Sequence, residues 1–205
     1  MDDEGAPILS MKFAVFNRWV EIDSPFEGHF MERVAPGAFR KSIKENFANI
    51  RAILSHGKDP SLGNTVLGKI ESIKEEADWA GARVNLFRSV PGLLLDGLRA
   101  GVYGASFRGD PIKNRFEHRP GRSAYHPDGL PEVTRTEIRL KDIGPTPFAA
   151  YAETTAMIGS GAGEGLPARA AQLDLERPYW ELGGDDAEPY WLIQREDRHG
   201  VASAR

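Results

Sequence analysis

The chain has 205 residues, 40% hydrophobic and 27% charged, which is enough for one full core and an appendage. A net charge of -4 gives no global attraction to nucleic acid, and the absence of cysteine excludes disulfides, thiolate metal sites, iron–sulfur clusters and a cysteine nucleophile. No apolar run approaches the roughly 20 residues of a membrane helix, and the acidic start Met1-Asp2-Asp3-Glu4 is unlike a signal peptide, so neither membrane insertion nor export is expected.

In chain order the patterns are mostly short and strand-like. Residues 12–22 mix apolar and polar side chains with β-favouring Phe, Val and Trp, and Asp23-Ser24-Pro25 ends them. Pro36 stands where a first helical residue belongs, and Phe39, Ile43 and Phe47 form one apolar stripe on a helix of about three turns. A strand is expected over 50–56, with Ile50, Ala52, Leu54 and His56 on one face. Two more follow over 65–73 and 80–87, joined by the polar Glu75-Glu76-Ala77-Asp78. Leu94, Leu95 and Leu98 predict a helix over 91–100 that Gly101 caps, and a strand over 102–107 comes next. The Asn, Arg, Pro, Gly and His residues of 109–131 predict a long loop, the length of a functional rather than an ordinary connection. Residues 132–143 alternate cleanly, with Thr136, Ile138 and Leu140 on one face and Arg135, Glu137 and Arg139 on the other. Many short strands with two or three interposed helices point to a small barrel or a sandwich with helices outside; periodicity does not choose between them.

The charge is unevenly placed. Residues 157–205 hold nine acids against five arginines, leaving 1–156 neutral with 21 of each sign. This segment opens with Gly159-Ser160-Gly161-Ala162-Gly163-Glu164-Gly165, which reads as a flexible linker, and it contains two similar stretches, Glu176-Arg177-Pro178-Tyr179-Trp180 and Glu188-Pro189-Tyr190-Trp191. The expected organisation is an N-terminal arm over 1–10, a folded domain over 11–156 and an acidic, aromatic-containing tail over 157–205. The aromatic pairs fit either docking anchors or packing onto the domain.

Ser106, His56 and Glu137 are the candidate chemical groups. Singly, each has an ordinary reading: a strand serine, a hydrogen-bonded histidine at a strand end, and a solvated acid between Arg135 and Arg139. Together they supply a hydroxyl, an imidazole to take its proton and an acid to orient the imidazole. Their chain order, His, Ser, acid, differs from the familiar hydrolase orders, and Gly-x-Ser-x-Gly is missing because Arg108 follows Phe107. The histidines His29, His118, His126 and His199 carry no His-Glu-x-x-His spacing, so no metal and no cofactor is expected. The basic stretch over 108–126, with Arg108, Lys113, Arg115, Arg119 and Arg122, fits a solvated loop, a cover for a substrate groove or a holder of an acidic partner.

Four blocks carry a resemblance: Glu27-Gly28-His29-Phe30-Met31-Glu32-Arg33-Val34-Ala35-Pro36-Gly37-Ala38-Phe39; Ile53-Leu54-Ser55-His56-Gly57-Lys58-Asp59 with Leu62-Gly63-Asn64-Thr65 behind it; Gly101-Val102-Tyr103-Gly104-Ala105-Ser106-Phe107; and residues 136–147. In this order, over about residues 11–157, they resemble the signature blocks of the prohead proteases of tailed bacteriophages. The fourth departs from the family pattern, with Arg139 and Asp142-Ile143-Gly144 where smaller or more apolar residues are usual.

The resemblance implies a mainly β fold with packed helices (α+β), a small Greek-key-like β-barrel surrounded by helices like that of the herpesvirus maturation proteases. It implies a serine endopeptidase with Ser106 as nucleophile, His56 as general base and Glu137 as orienting acid. The implied substrates are major capsid protein, scaffold or delta segments and the enzyme itself, inside an assembling prohead in the host cytoplasm. Self-association as a dimer is implied, with no membrane and no direct nucleic-acid partner. A scaffold or assembly protein that keeps the fold without catalysis is the alternative. The 144–147 stretch, read as a turn, is the expected source of an oxyanion donor.

Overall fold

Apolar residues at every second position build the first strand. Leu9, Met11 and Phe13 alternate with partly exposed neighbours and are themselves at most 1% exposed, so β1 (Ile8–Val15) turns one face wholly inward. The computed structural model describes residues 6–24, 28–122 and 128–159, all within one unit, Met1–Pro167. After β1 come β2 (Val20–Ser24), β3 (Gly28–Val34), α1 (Arg40–Asn46), β4 (Arg51–Ala52), β5 (Gly68–Glu75) and β6 (Trp79–Leu86). The remaining elements are α2 (Gly92–Ala100), β7 (Gly104–Glu117), β8 (Glu132–Thr146) and β9 (Thr155–Ile158).

Two sheets share these strands. One has the order β5-β6-β1-β9 and is antiparallel throughout. The other has the order β2-β3-β8-β4, with β7 along the opposite edge of β8. Along its first edge β8 runs parallel both to β3, through Glu132–Arg135, and to β4, through Asp142 and Ile143. One core lies between the sheets: Leu9, Met11 and Phe13 of β1 and Val84 and Leu86 of β6 belong to the same cluster as Ile138, Leu140 and Ile143 of β8. Leu94 and Leu98 of α2 close it.

The mainly β expectation with packed helices holds, but the closed barrel does not. Isolated bridges from Ile53 to Val66, Tyr103 to Ala156 and Phe16 to Val34 link the sheets at their corners without a continuous ladder. Among the described residues the result is two open sheets with two short α-helices. β4 is too short to complete a ladder between β8 and β5, because the chain turns away directly after it.

Other departures also have local causes. The single strand expected over 12–22 is broken at Asn17, whose φ is 57°. The helix begins later than Pro36, because Gly37 turns with φ 87° and the Phe39 N–H donates to Glu75 Oε1 at 2.8 Å, which stands in for a cap. The loop expected over 109–131 is strand as far as Glu117, since β8 offers it partners out to the Glu117–Glu132 pair. The 144–147 stretch is strand through Thr146 and not a turn. The boundary region is sheet: β9 pairs Ile158 with Leu9. The linker from Ser160, the acidic tail and both Pro-Tyr-Trp stretches lie outside the described residues.

Three rings anchor the second sheet to the first. Phe39 meets Phe107 edge-on at 4.9 Å between centroids, and Phe13 meets Phe39 at 5.5 Å and Phe107 at 6.3 Å. Phe107 is thereby fixed on the core side of β7. Its neighbours Ser106 and Arg108 take the other side.

Among the described glycines, Gly144 has the least room for a side chain. A Cβ there would stand 1.7 Å from the Ile53 carbonyl oxygen, so the chain leaving β4 lies directly on the bare face of β8. Gly144→Ala should lower stability by about 1–3 kcal/mol. Gly92→Ala, where no atom lies within 4 Å, should be neutral or slightly stabilising. Urea unfolding of both variants measures the contrast.

Candidate active site

His56 reaches its place through an unusual backbone. Residues Leu54–Gly57 form a tight turn in which Ser55 and His56 have φ of 48° and 54°, left-handed conformations rare for non-glycine residues. Gly57 follows with φ 80°, and a side chain there would meet Asn64 Oδ1 at 2.1 Å. Asn64 belongs to a loop held by Asp59, whose carboxylate accepts the N–H groups of Ser61 and Leu62 at 2.9 and 2.8 Å. The second sequence block is therefore a scaffold for one turn. The expectation of a regular strand ending at His56 fails there, and the turn aims the imidazole back over β8.

The turn lies against both β7 and β8. Across these strands Ser106 pairs with Gly144 and Arg108 with Asp142, two consecutive pairs on the face away from Phe107 and Ile143. Ser106 and Arg108 are thus about 7 Å apart along β7. His56 Nδ1–H donates to Asp142 Oδ1 at 2.6 Å, and Asp142 Oδ2 accepts Arg108 Nε–H at 2.8 Å. The Asp142 side chain is only 2% exposed and that of His56 18%. Since an ionised carboxylate only accepts, this bond puts the proton of neutral His56 on Nδ1 and leaves the Nε2 lone pair to act as a base.

Glu137, the expected orienting acid, is placed elsewhere. It lies five residues before Asp142 on β8, about 16 Å along a strand. Its carboxylate takes Lys113 Nζ at 2.6 Å and Lys41 Nζ at 3.4 Å, tying the β7–β8 ribbon to α1. The structure therefore brings His56 to Asp142 and not to Glu137.

The reason is a bulge. The cross-strand register steps from Arg108–Asp142 to Gly109–Leu140, leaving Lys141 as an extra residue in β8. Strict alternation from Ile138 and Leu140 puts position 142 in the core. With Lys141 inserted, Ile143 takes the core side and Asp142 the face of Ser106. The mark this leaves in the apolar pattern is a single step of three, from Leu140 to Ile143, and the acid inside that step needs a partner if it is buried.

Beyond the bulge the same face continues as ion pairs. Asp110 receives Arg139 Nη2 at 2.8 Å and also pairs with Lys141, and the Lys113–Glu137 pair follows. His29 bonds Glu21 at 2.6 Å and His118 stacks on Phe116, whereas His126 and His199 lie outside the described residues.

Hydrogen bonding from Lys113 holds the Glu137 carboxyl below its usual range, and hydrogen bonds from Lys141 and then Arg139 do the same for Asp110. A depressed folded-state value means stability that is present above the ordinary carboxylate range and lost as pH falls through the folded value. The melting-temperature gap between the wild type and a Glu137→Gln, Asp110→Asn double variant should therefore be full at neutral pH and shrink below about pH 4. Thermal melts across that range measure it.

Comparison with known proteins bears on what this arrangement serves. A family model described as caudovirus prohead serine protease matches residues 2–164. No curated protein sequence and no solved structure matches.

Proposed function

The chain belongs to the caudovirus prohead serine protease family, and on that premise we propose that it is the head-maturation endopeptidase of a tailed phage, with Ser106, His56 and Asp142 as its catalytic unit. The observation that carries the assignment is the 2.6 Å bond from His56 to the buried Asp142, beside a strand pair that presents Ser106 on the same face.

In this reading Ser106 Oγ attacks the scissile carbonyl carbon while His56 Nε2 takes the hydroxyl proton. His56 returns that proton to the amine as the C–N bond breaks, and then activates the water that hydrolyses the acyl-enzyme. Asp142 keeps the ring in the productive tautomer and stabilises the imidazolium, which is the role the sequence reading had given to Glu137. The substrates we infer are capsid-protein or scaffold segments, and the enzyme itself, inside the assembling prohead in the host cytoplasm.

Co-expression with the major capsid protein of the same phage, read by intact mass, tests the reading. Ser106→Ala and His56→Ala should each abolish processing, since members of one catalytic unit fail together. Asp142→Asn should slow it by on the order of 10⁴-fold, and Glu137→Gln by less than about threefold, since its partners are surface lysines and not His56. Undiminished processing by the Ser106→Ala protein would overturn the catalytic assignment, and capsid protein left uncleaved by the wild type would favour the scaffold or assembly alternative.

A further inference from the structure

Arg108 is the side chain at this site that the three-residue reading leaves without a role. It is the cross-strand partner of Asp142, two residues from Ser106 on the same face. Its Nε–H donates to Asp142 Oδ2 at 2.8 Å while Nη1 points to the His56 carbonyl oxygen at 3.5 Å. One planar group thus meets the acid through one edge and the backbone of the base through another. The geometry points to Arg108 as a positioning residue for the reaction: it fixes the Asp142 carboxylate so that Oδ1 faces His56 Nδ1, and it tethers the strained turn that carries His56. This inference rests on the proposed serine-protease reading.

Three physical points support it. A carboxylate has two equivalent oxygens and rotates about its Cβ–Cγ bond. Only a second partner on Oδ2 holds Oδ1 toward the imidazole. A carboxylate 2% exposed also needs compensation beyond one neutral imidazole N–H, and the guanidinium supplies a full charge. Finally, Ser55 and His56 sit in left-handed backbone that surrounding contacts must maintain, and the His56 carbonyl is the atom Arg108 faces. The Arg108 side chain is itself 51% exposed, so its shape matters more to the acid than to the core. A lysine presents one ammonium and not a fork, and cannot serve both acceptors in this way.

The test uses the full chain and a fluorophosphonate probe, which needs no knowledge of the natural substrate. Ser106 Oγ forms a bond to phosphorus, the P–F bond breaks, fluoride leaves, and the serine proton passes to His56. Labelling should require Ser106 and be lost in Ser106→Ala. Arg108→Ala and Arg108→Gln should slow labelling by on the order of ten- to a hundredfold, with Arg108→Lys in between and methylguanidinium partly restoring Arg108→Ala. The second readout is the downfield proton resonance of the His56 Nδ1–H bonded to Asp142. It should persist in Ser106→Ala and be lost or broadened in Arg108→Ala at a temperature where circular dichroism shows that variant folded. Wild-type labelling rates and an unchanged resonance in the Arg108 variants would overturn the positioning role alone. Lost labelling with an intact resonance, or equal loss in Arg108→Lys and Arg108→Ala without rescue, would overturn it too. Absence of Ser106-dependent labelling in the wild type would instead overturn the protease reading.

Discussion

An ionised carboxylate removed from water is stable only where partners replace its hydration, and Asp142 is buried to 2% side-chain exposure, beside the core residues Leu140 and Ile143 of its strand. Its two oxygens are taken by His56 and Arg108, one from the turn after β4 and one from the neighbouring strand β7. That requirement organises the surrounding structure. The turn must come down onto β8, so position 144 must lack a side chain. It must then reverse sharply, so Ser55, His56 and Gly57 have positive φ. The strand β8 must present the acid away from the core, so it bulges at Lys141. The bare position 144, the left-handed turn and the bulge at Lys141 thus all meet at one acid.

The regular half is governed by burial. The Phe13, Phe39 and Phe107 contacts join β1, the start of α1 and β7 in one core, and they decide which side of β7 faces inward. Since side chains alternate along a strand, burying Phe107 is what exposes Ser106 and Arg108 to the site. On the continuation of that face the Asp110 and Glu137 acids are partly buried and their cationic partners exposed, so these ion pairs stabilise the ribbon only weakly. Strong hydrophobic anchoring on one side of the ribbon therefore positions the polar groups on the other.

What could be read from the sequence follows this division. The helix ending at Gly101, the strands β5, β6 and β8, and the positions of Ser106 and His56 rest on periodicity, capping chemistry and motif resemblance, all local signals. The residue patterns leave barrel and sandwich open, and the closed barrel that the resemblance implies is absent because β4 ends at Ala52 and the chain soon enters the left-handed turn at Ser55 and His56. Of the loop expected over 109–131, the part to Glu117 is strand: its Asn and Pro residues have low strand propensity, and pairing with β8 overrides it. Glu137 is the acid that the resemblance of the fourth block points to, and strict alternation along β8 gives no reason to look to Asp142, which it sends inward. Yet the fourth block had already set Asp142-Ile143-Gly144 apart from its relatives, and two of those three residues are ones the site geometry uses.

The strand β8 joins partners that are far apart in the chain: residues 31–34 and 51–52 on one edge and 104–117 on the other. Such pairings close long loops and form late in folding. They also have a vectorial aspect. A ribosome releases His56, Ser106 and Arg108 well before residue 142, and until β8 inserts between β3, β4 and β7 neither the His56–Asp142 bond nor the Arg108–Asp142 bond can form. The nascent polypeptide consequently passes through most of its synthesis without this polar centre, whose assembly topology withholds until the last long strand of the second sheet is laid in.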